Sequence, residues 1–130
     1  MNKILSILAI SLLFFVGCND DSPTSPTPAP EYSVTVLYPN GGEVLRRGAF
    51  VEIRWQSTNV ESVNIYLVKL DAPTNGSPWQ LAYSAPSQAG LYVWLNPQHT
   101  TGAYKIVISD SRGYSNRLVE DQSDGAFYFE

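Results

Sequence analysis

Few side chains in this 130-residue chain belong to the types that do chemistry. A hydrolase or transferase needs a placed nucleophile with its base, or a pair of carboxylates. The sole histidine, His99, stands in the run Asn96-Pro97-Gln98-His99-Thr100 with no acid beside it, and reads as a solvent-facing loop residue. Zinc needs clustered His and Cys ligands, which one histidine and one cysteine cannot supply. Glu120, Asp121 and Asp124 could offer oxygens to calcium. Their spacing matches no calcium loop, so a solvated acidic turn is expected there. Asp110-Ser111-Arg112-Gly113 likewise has turn composition. The expectation is a chain with no catalytic residue, no metal and no cofactor.

The informative reactive residue is Cys18, the only cysteine. Asn2 and Lys3 precede thirteen residues, Ile4 to Val16, that are apolar apart from Ser6 and Ser11, and Phe15-Val16-Gly17-Cys18 closes the segment. This order reads as a secretion signal. A membrane-crossing helix needs about 20 apolar residues, so the segment is too short to span. Gly17 directly before a cysteine resembles the lipobox of bacterial lipoproteins, which implies acylation of Cys18 as the first residue of the mature chain. At about 0.8 kcal/mol per buried CH₂, two long acyl chains supply on the order of 20 kcal/mol of anchoring. The expected location is a bacterial membrane surface outside the cytoplasm, periplasmic or at the cell surface. With no second cysteine, the fold must stand without an internal disulfide.

Residues 1–17 are therefore read as signal peptide and 18–31 as a lipidated cysteine followed by a disordered tether. Pro23, Pro26, Pro28 and Pro30 stand among Ser, Thr, Asp and Ala, a composition that cannot bury enough surface to order itself. Thirteen residues, Asn19 to Glu31, reach roughly 40 Å at the polyproline rise. Residues 32–130 make one domain of ordinary size, long enough to bury most of its unfolded surface. From Cys18 onward, seven Lys and Arg face twelve Asp and Glu, and Arg46-Arg47 is the only adjacent basic pair. Nucleic-acid binders carry a basic stripe, so no such partner is expected.

Within 32–130 the apolar residues recur with period two in short runs. Val51, Ile53 and Trp55 alternate with Glu52, Arg54 and Gln56, the signature of a half-buried strand. Tyr104, Ile106 and Ile108 alternate with Lys105 and Ser109, and Val63, Ile65 and Leu67 with Asn64 and Tyr66. Val34 with Val36, Trp79 to Ser84, Leu91 to Leu95, and Ala126 to Phe129 complete about seven strands with no helical segment. Pro39-Asn40-Gly41-Gly42 and Gly48 supply breaks. Short strands so punctuated indicate an all-β immunoglobulin- or fibronectin-like antiparallel sandwich. Tyr104 sits where a tyrosine corner would sit.

The ordered set Val36-Leu37-Tyr38-Pro39-Asn40-Gly41-Gly42-Glu43-Val44, Gly48, Val51-Glu52-Ile53-Arg54-Trp55, Val63 to Val68, Gly90-Leu91-Tyr92-Val93-Trp94, Gly102 to Ile108 and Asp124-Gly125-Ala126-Phe127 resembles the Ser/Thr-rich GPI-anchored, yeast cell-wall-synthesis Kre9/Knh1 N-terminal-like domain. The resemblance implies a sandwich module on secreted or surface proteins and no catalytic motif. In fungi the family is tied to β-glucan assembly, which makes carbohydrate one candidate ligand. This chain has no long Ser/Thr-rich region.

Three Trp and eight Tyr supply flat rings of the kind that sugars and protein hot spots stack on. Trp55 belongs to the inward face. In Leu91 to Leu95, Tyr92 and Trp94 alternate with Leu91, Val93 and Leu95, so both faces are apolar and one set needs a cover. Either the loop Asp71 to Pro78 or the Trp79 to Tyr83 segment packs over it, or Trp79, Tyr83 and neighbouring Tyr66 form an aromatic strip for glycan or protein. The expected work is non-catalytic binding or adhesion by a monomeric domain at the envelope. The rival is a structural lipoprotein that contacts only protein. If Cys18 carries the anchor, Cys18→Ser moves the protein from the membrane pellet to the soluble fraction, and intact mass of the wild-type N-terminus shows the added acyl chains.

Overall fold

Side chains that alternate between core and solvent build strands, and strands with one apolar face must stack in two layers. The computed structural model describes residues 25–71, 78–95, 101–112 and 116–130. The signal segment and Cys18, His99, and most of the Asp71 to Pro78 loop lie outside the described residues. Nine strands occur among the described residues: β1 (Ser33–Tyr38), β2 (Val44–Leu45), β3 (Phe50–Thr58), β4 (Ser62–Lys69), β5 (Trp79–Pro86), β6 (Leu91–Leu95), β7 (Gly102–Asp110), β8 (Glu120–Gln122) and β9 (Phe127–Phe129). One sheet has the order β1-β3-β6, and the other runs β2-β9-β7-β4-β5 with β8 added to β7. Seven of these are the expected strands. The two extra ones, β2 and β8, have two and three residues, too few to show a period, and their partners rather than their own composition define them. β2 runs parallel to β9, and the other pairings among the described residues are antiparallel.

The core follows the alternation. Val36, Val51, Ile53, Trp55 and Trp94 from the small sheet meet Val63, Ile65, Leu67, Tyr104, Ile106, Ile108, Phe127 and Phe129 from the large one. Trp55 is buried and its indole N–H donates to the Ser87 carbonyl at 2.9 Å, which satisfies its one polar atom. Tyr104 is wholly buried, with Phe129 5.1 Å away centroid to centroid and Phe127 at 6.3 Å. Buried Asn64 accepts from the Ser84 N–H at 2.9 Å, where β5 bulges and Ser84 takes a φ of 49°.

Where β1 leaves β3 the two sheets are sewn together by polar groups. Asp121 on β8 accepts the Val36 N–H at 2.7 Å. Ser123, fully buried, donates to the Pro39 carbonyl at 2.8 Å and accepts the Ile106 N–H at 3.0 Å. Asn40 donates to Asp124 at 2.7 Å and accepts the Asp124 N–H at 2.8 Å. Glu120, expected in a solvated turn with these acids, is instead a strand residue paired with Arg117 at 2.5 Å. Among the described residues no three His, Cys, Asp or Glu converge on a metal position. At the chain's entry, Asn59 donates to the Glu31 carbonyl at 2.6 Å, and residues 25–31 are exposed without regular structure.

The Asn40–Glu43 turn shows why its glycine is required. Gly41 has φ 141°, and a Cβ there would lie 2.8 Å from the Gly125 Cα. Gly41→Ala is expected to cost about 2 kcal/mol through backbone strain and collision, lowering the melting temperature by on the order of 10 °C. Burial raises the pKa of the Glu43 carboxyl, but the backbone N–H groups of Asn40, Glu43 and Gly41 aimed at it together outweigh that and hold it below the ordinary carboxylate value. A folded pKa below the unfolded one contributes stability above the unfolded value, lost as pH falls through the folded one. Thermal melts of Glu43→Gln against the parent should therefore differ near neutral pH and converge once the medium is more acidic than the carboxylate range.

Candidate interaction surface

The outer face of the three-stranded sheet carries what the core does not use. On β3 the period that buries Val51, Ile53 and Trp55 turns Phe50, Glu52 and Arg54 outward. On β6 it buries Trp94 and leaves Leu91, Val93 and Leu95 outside. Register sets Phe50 opposite Leu95, Glu52 opposite Val93 and Arg54 opposite Leu91. Phe50 is 73% exposed and Val93 51% exposed, and Leu37 of β1 adds a further exposed apolar side chain. A cleft of about 450 Å³ opens there, lined by Tyr38, Leu45, Phe50, Glu52, Arg54 and Val93.

Glu52 and Arg54 pair on this face through Nε at 3.0 Å and through Nη2. Both are well exposed, so the pair contributes little to stability. Its effect is to place one positive and one negative group, with no net charge, beside an aliphatic band. Such a surface presents apolar area with a polar orienting mark, the pattern of a binding patch rather than a reaction centre.

Of the two apolar faces of β6, the inner one is the covered one. The Tyr92 hydroxyl donates to the Leu81 carbonyl of β5 at 2.9 Å, and Trp94 packs edge-on to Phe129 at 5.8 Å. β5 thus meets the inner side of the strand, and Leu91, Val93 and Leu95 stay exposed.

Tyr66, Trp79 and Tyr83 are not brought together as one strip. Trp79 lies opposite Leu67 and Tyr66 opposite Gln80, so Trp79 shares the inward face of Leu67 while Tyr66 is on the outer one. The Trp79 ring is 6.3 Å from that of Tyr104, at the rim of the aromatic core. Tyr66 borders a hollow of about 80 Å³ with Val68, Pro78, Val107 and Glu120. Tyr83 is 72% exposed beside the β5 bulge. The residue missed by sequence reasoning is Phe50. Its signal was present, since period two puts it on the same side as Glu52 and Arg54.

The family model for the Kre9/KNH-like N-terminal Ig-like domain matches residues 38–123. No curated protein matches the chain. Among solved structures, similarity extends to an engineered protein (16% identity, TM-score 0.45, covering 76% of this chain and 21% of that one). It extends also to the RIG-5 IG1 homodimer (17% identity, TM-score 0.40, 78% of this chain and 99% of that one). A third is the CARDB domain of a Pyrococcus furiosus protein in complex with di-metal ions (14% identity, TM-score 0.35, 78% and 96%). The chain spans about a fifth of the length of the first of these. The match from Tyr38 in the cleft to Ser123 in the seam covers strands of both sheets, and this chain belongs to the family of the Kre9/KNH-like N-terminal Ig-like domain.

Proposed function

We propose that this chain is a non-catalytic binding module held outside the cytoplasm by a lipid on Cys18, and that it engages an envelope protein through the outer face of β1-β3-β6. The observation that carries this reading is the exposure of Phe50 next to Leu91, Val93 and Leu95, an apolar band that does no core work. An exposed apolar band of this kind, set beside a charge pair that can orient a ligand, suits a protein partner. The band is mainly aliphatic, whereas stacking on sugar faces needs rings. Membership of an Ig-like domain family supports binding in place of catalysis. The lipobox-like segment supports the anchor, and the exposed linker from 25 to 31 supports display at a distance from the lipid.

A carbohydrate reading is favoured by one observation, the protruding ring of Tyr83. The two readings part on variants. Retention of an envelope protein on the immobilised chain is expected to be lost in Phe50→Ser and kept in Tyr83→Ser, with Phe50→Ser changing stability by no more than about 0.5 kcal/mol because the ring is exposed. A glycan array hit abolished by Tyr83→Ser would replace the protein reading with the carbohydrate one. Trp79→Ala is expected to lower the melting temperature by on the order of 5 °C, since its ring packs on Tyr104.

A further inference from the structure

We propose that β6 is a self-pairing edge, through which two copies of this chain join antiparallel about a two-fold axis at Val93. Among the described residues β6 pairs with β3 alone, so its far side is a sheet edge. The Trp55 N–H bonds to the Gly90 carbonyl at 3.1 Å, and Ile53 faces Tyr92 and Val51 faces Trp94. In an antiparallel ladder the N–H and C=O of alternate residues point to the same side. The backbone groups of Gly90, Tyr92 and Trp94 therefore serve β3, and those of Leu91, Val93 and Leu95 point to the far edge.

The sequence of this edge is nearly its own mirror: Leu91-Tyr92-Val93-Trp94-Leu95 reads aliphatic, aromatic, Val, aromatic, aliphatic in both directions. An antiparallel copy centred on Val93 sets Val93 against Val93, Leu91 against Leu95 and Tyr92 against Trp94. Each like pair of side chains falls on one face, and the three outward backbone units can exchange hydrogen bonds with their counterparts. The strand carries no charge, so copies of an acidic chain meet where repulsion is least.

The other edges are guarded. β5 is broken by register shifts and a positive φ at Ser84 and ends on Pro86. β1 shifts register after Val36 and has its Val36 N–H taken by Asp121, and β2 has two residues. Natural edges avoid pairing by charges, prolines and bulges, and β6 has none of the three. A five-residue edge buries less than the roughly 1,200 Å² of a standard interface. The expected dimer is therefore weak in solution, dissociating between about 10 μM and 1 mM. Chains confined to one membrane surface reach such effective concentrations. The proposed pairing departs from the monomeric domain expected from the sequence, and it does not depend on whether the outer face binds a foreign protein.

The test uses residues 25–130, which hold every described strand and every described core residue. Sedimentation from roughly 10 μM to 1 mM should show a monomer–dimer equilibrium, and hydrogen exchange should show amides of Leu91, Val93 and Leu95 slowing with concentration while Tyr92 and Trp94 do not change. Val93→Lys sets like charges opposite each other on the axis and is expected to weaken the dimer at least about 10-fold with the melting temperature kept. Phe50→Ser, which probes the outer face, should leave sedimentation unaltered, so the two ideas fail separately. A monomer throughout the range, a dimer indifferent to Val93→Lys, or protection of these amides only on adding envelope extract overturns self-pairing.

Discussion

The seam between β1 and the β8–β9 corner is the constraint on which the rest depends. A sandwich of two sheets has no covalent tie here, because the only cysteine precedes the domain. What fixes one layer to the other along that edge is a set of charge-assisted and buried hydrogen bonds: Asp121 to Val36, Ser123 to Pro39 and Ile106, Asp124 to Asn40. Bonds of this kind to ionised or buried groups are stronger than average, and each leaves an orphaned partner if broken. The close approach of Gly41 to Gly125 is the steric counterpart of that polar stitching.

With the seam closed, each sheet has one face spent on the core and one to spare. The large sheet covers part of its outer face with its own β5 bulge, which buries Asn64. The small sheet has no such cover among the described residues, and its spare face collects Phe50, Leu91, Val93 and Leu95 around the Glu52–Arg54 pair. The binding reading is thus a by-product of asymmetry between layers: one sheet closes over itself and the other does not.

Much of this was legible in the sequence because period two is a strong signal over five or more residues. Val51, Ile53 and Trp55 announced their burial, and so did Tyr104, Ile106 and Ile108. The double apolar character of Leu91 to Leu95 announced an uncovered face, though not which one. What stayed hidden depended on contacts distant in sequence. Asp121 looks like any surface acid until Val36, 85 positions away, presents its N–H. Trp79 and Tyr66 looked like neighbours on one surface, yet the pairing of Leu67 with Trp79 and of Tyr66 with Gln80 puts them on opposite sides, and beyond Tyr66 the β4–β5 register shifts as well. No local pattern encodes a bulge that one partner strand imposes on another.

The bond from Asn59 to the Glu31 carbonyl fixes where the linker enters, at the end of the sandwich where Ser33 faces Thr58. From Thr58 to Phe50 the strand climbs about 27 Å at the usual rise. Phe50, Leu95 and the Pro39–Gly42 corner therefore stand at the end opposite this entry, so under the anchor proposed at Cys18 the exposed Phe50 ring would face away from the membrane. With that anchor, the contact between Asn59 and Glu31 would decide which end of the sandwich is presented outward.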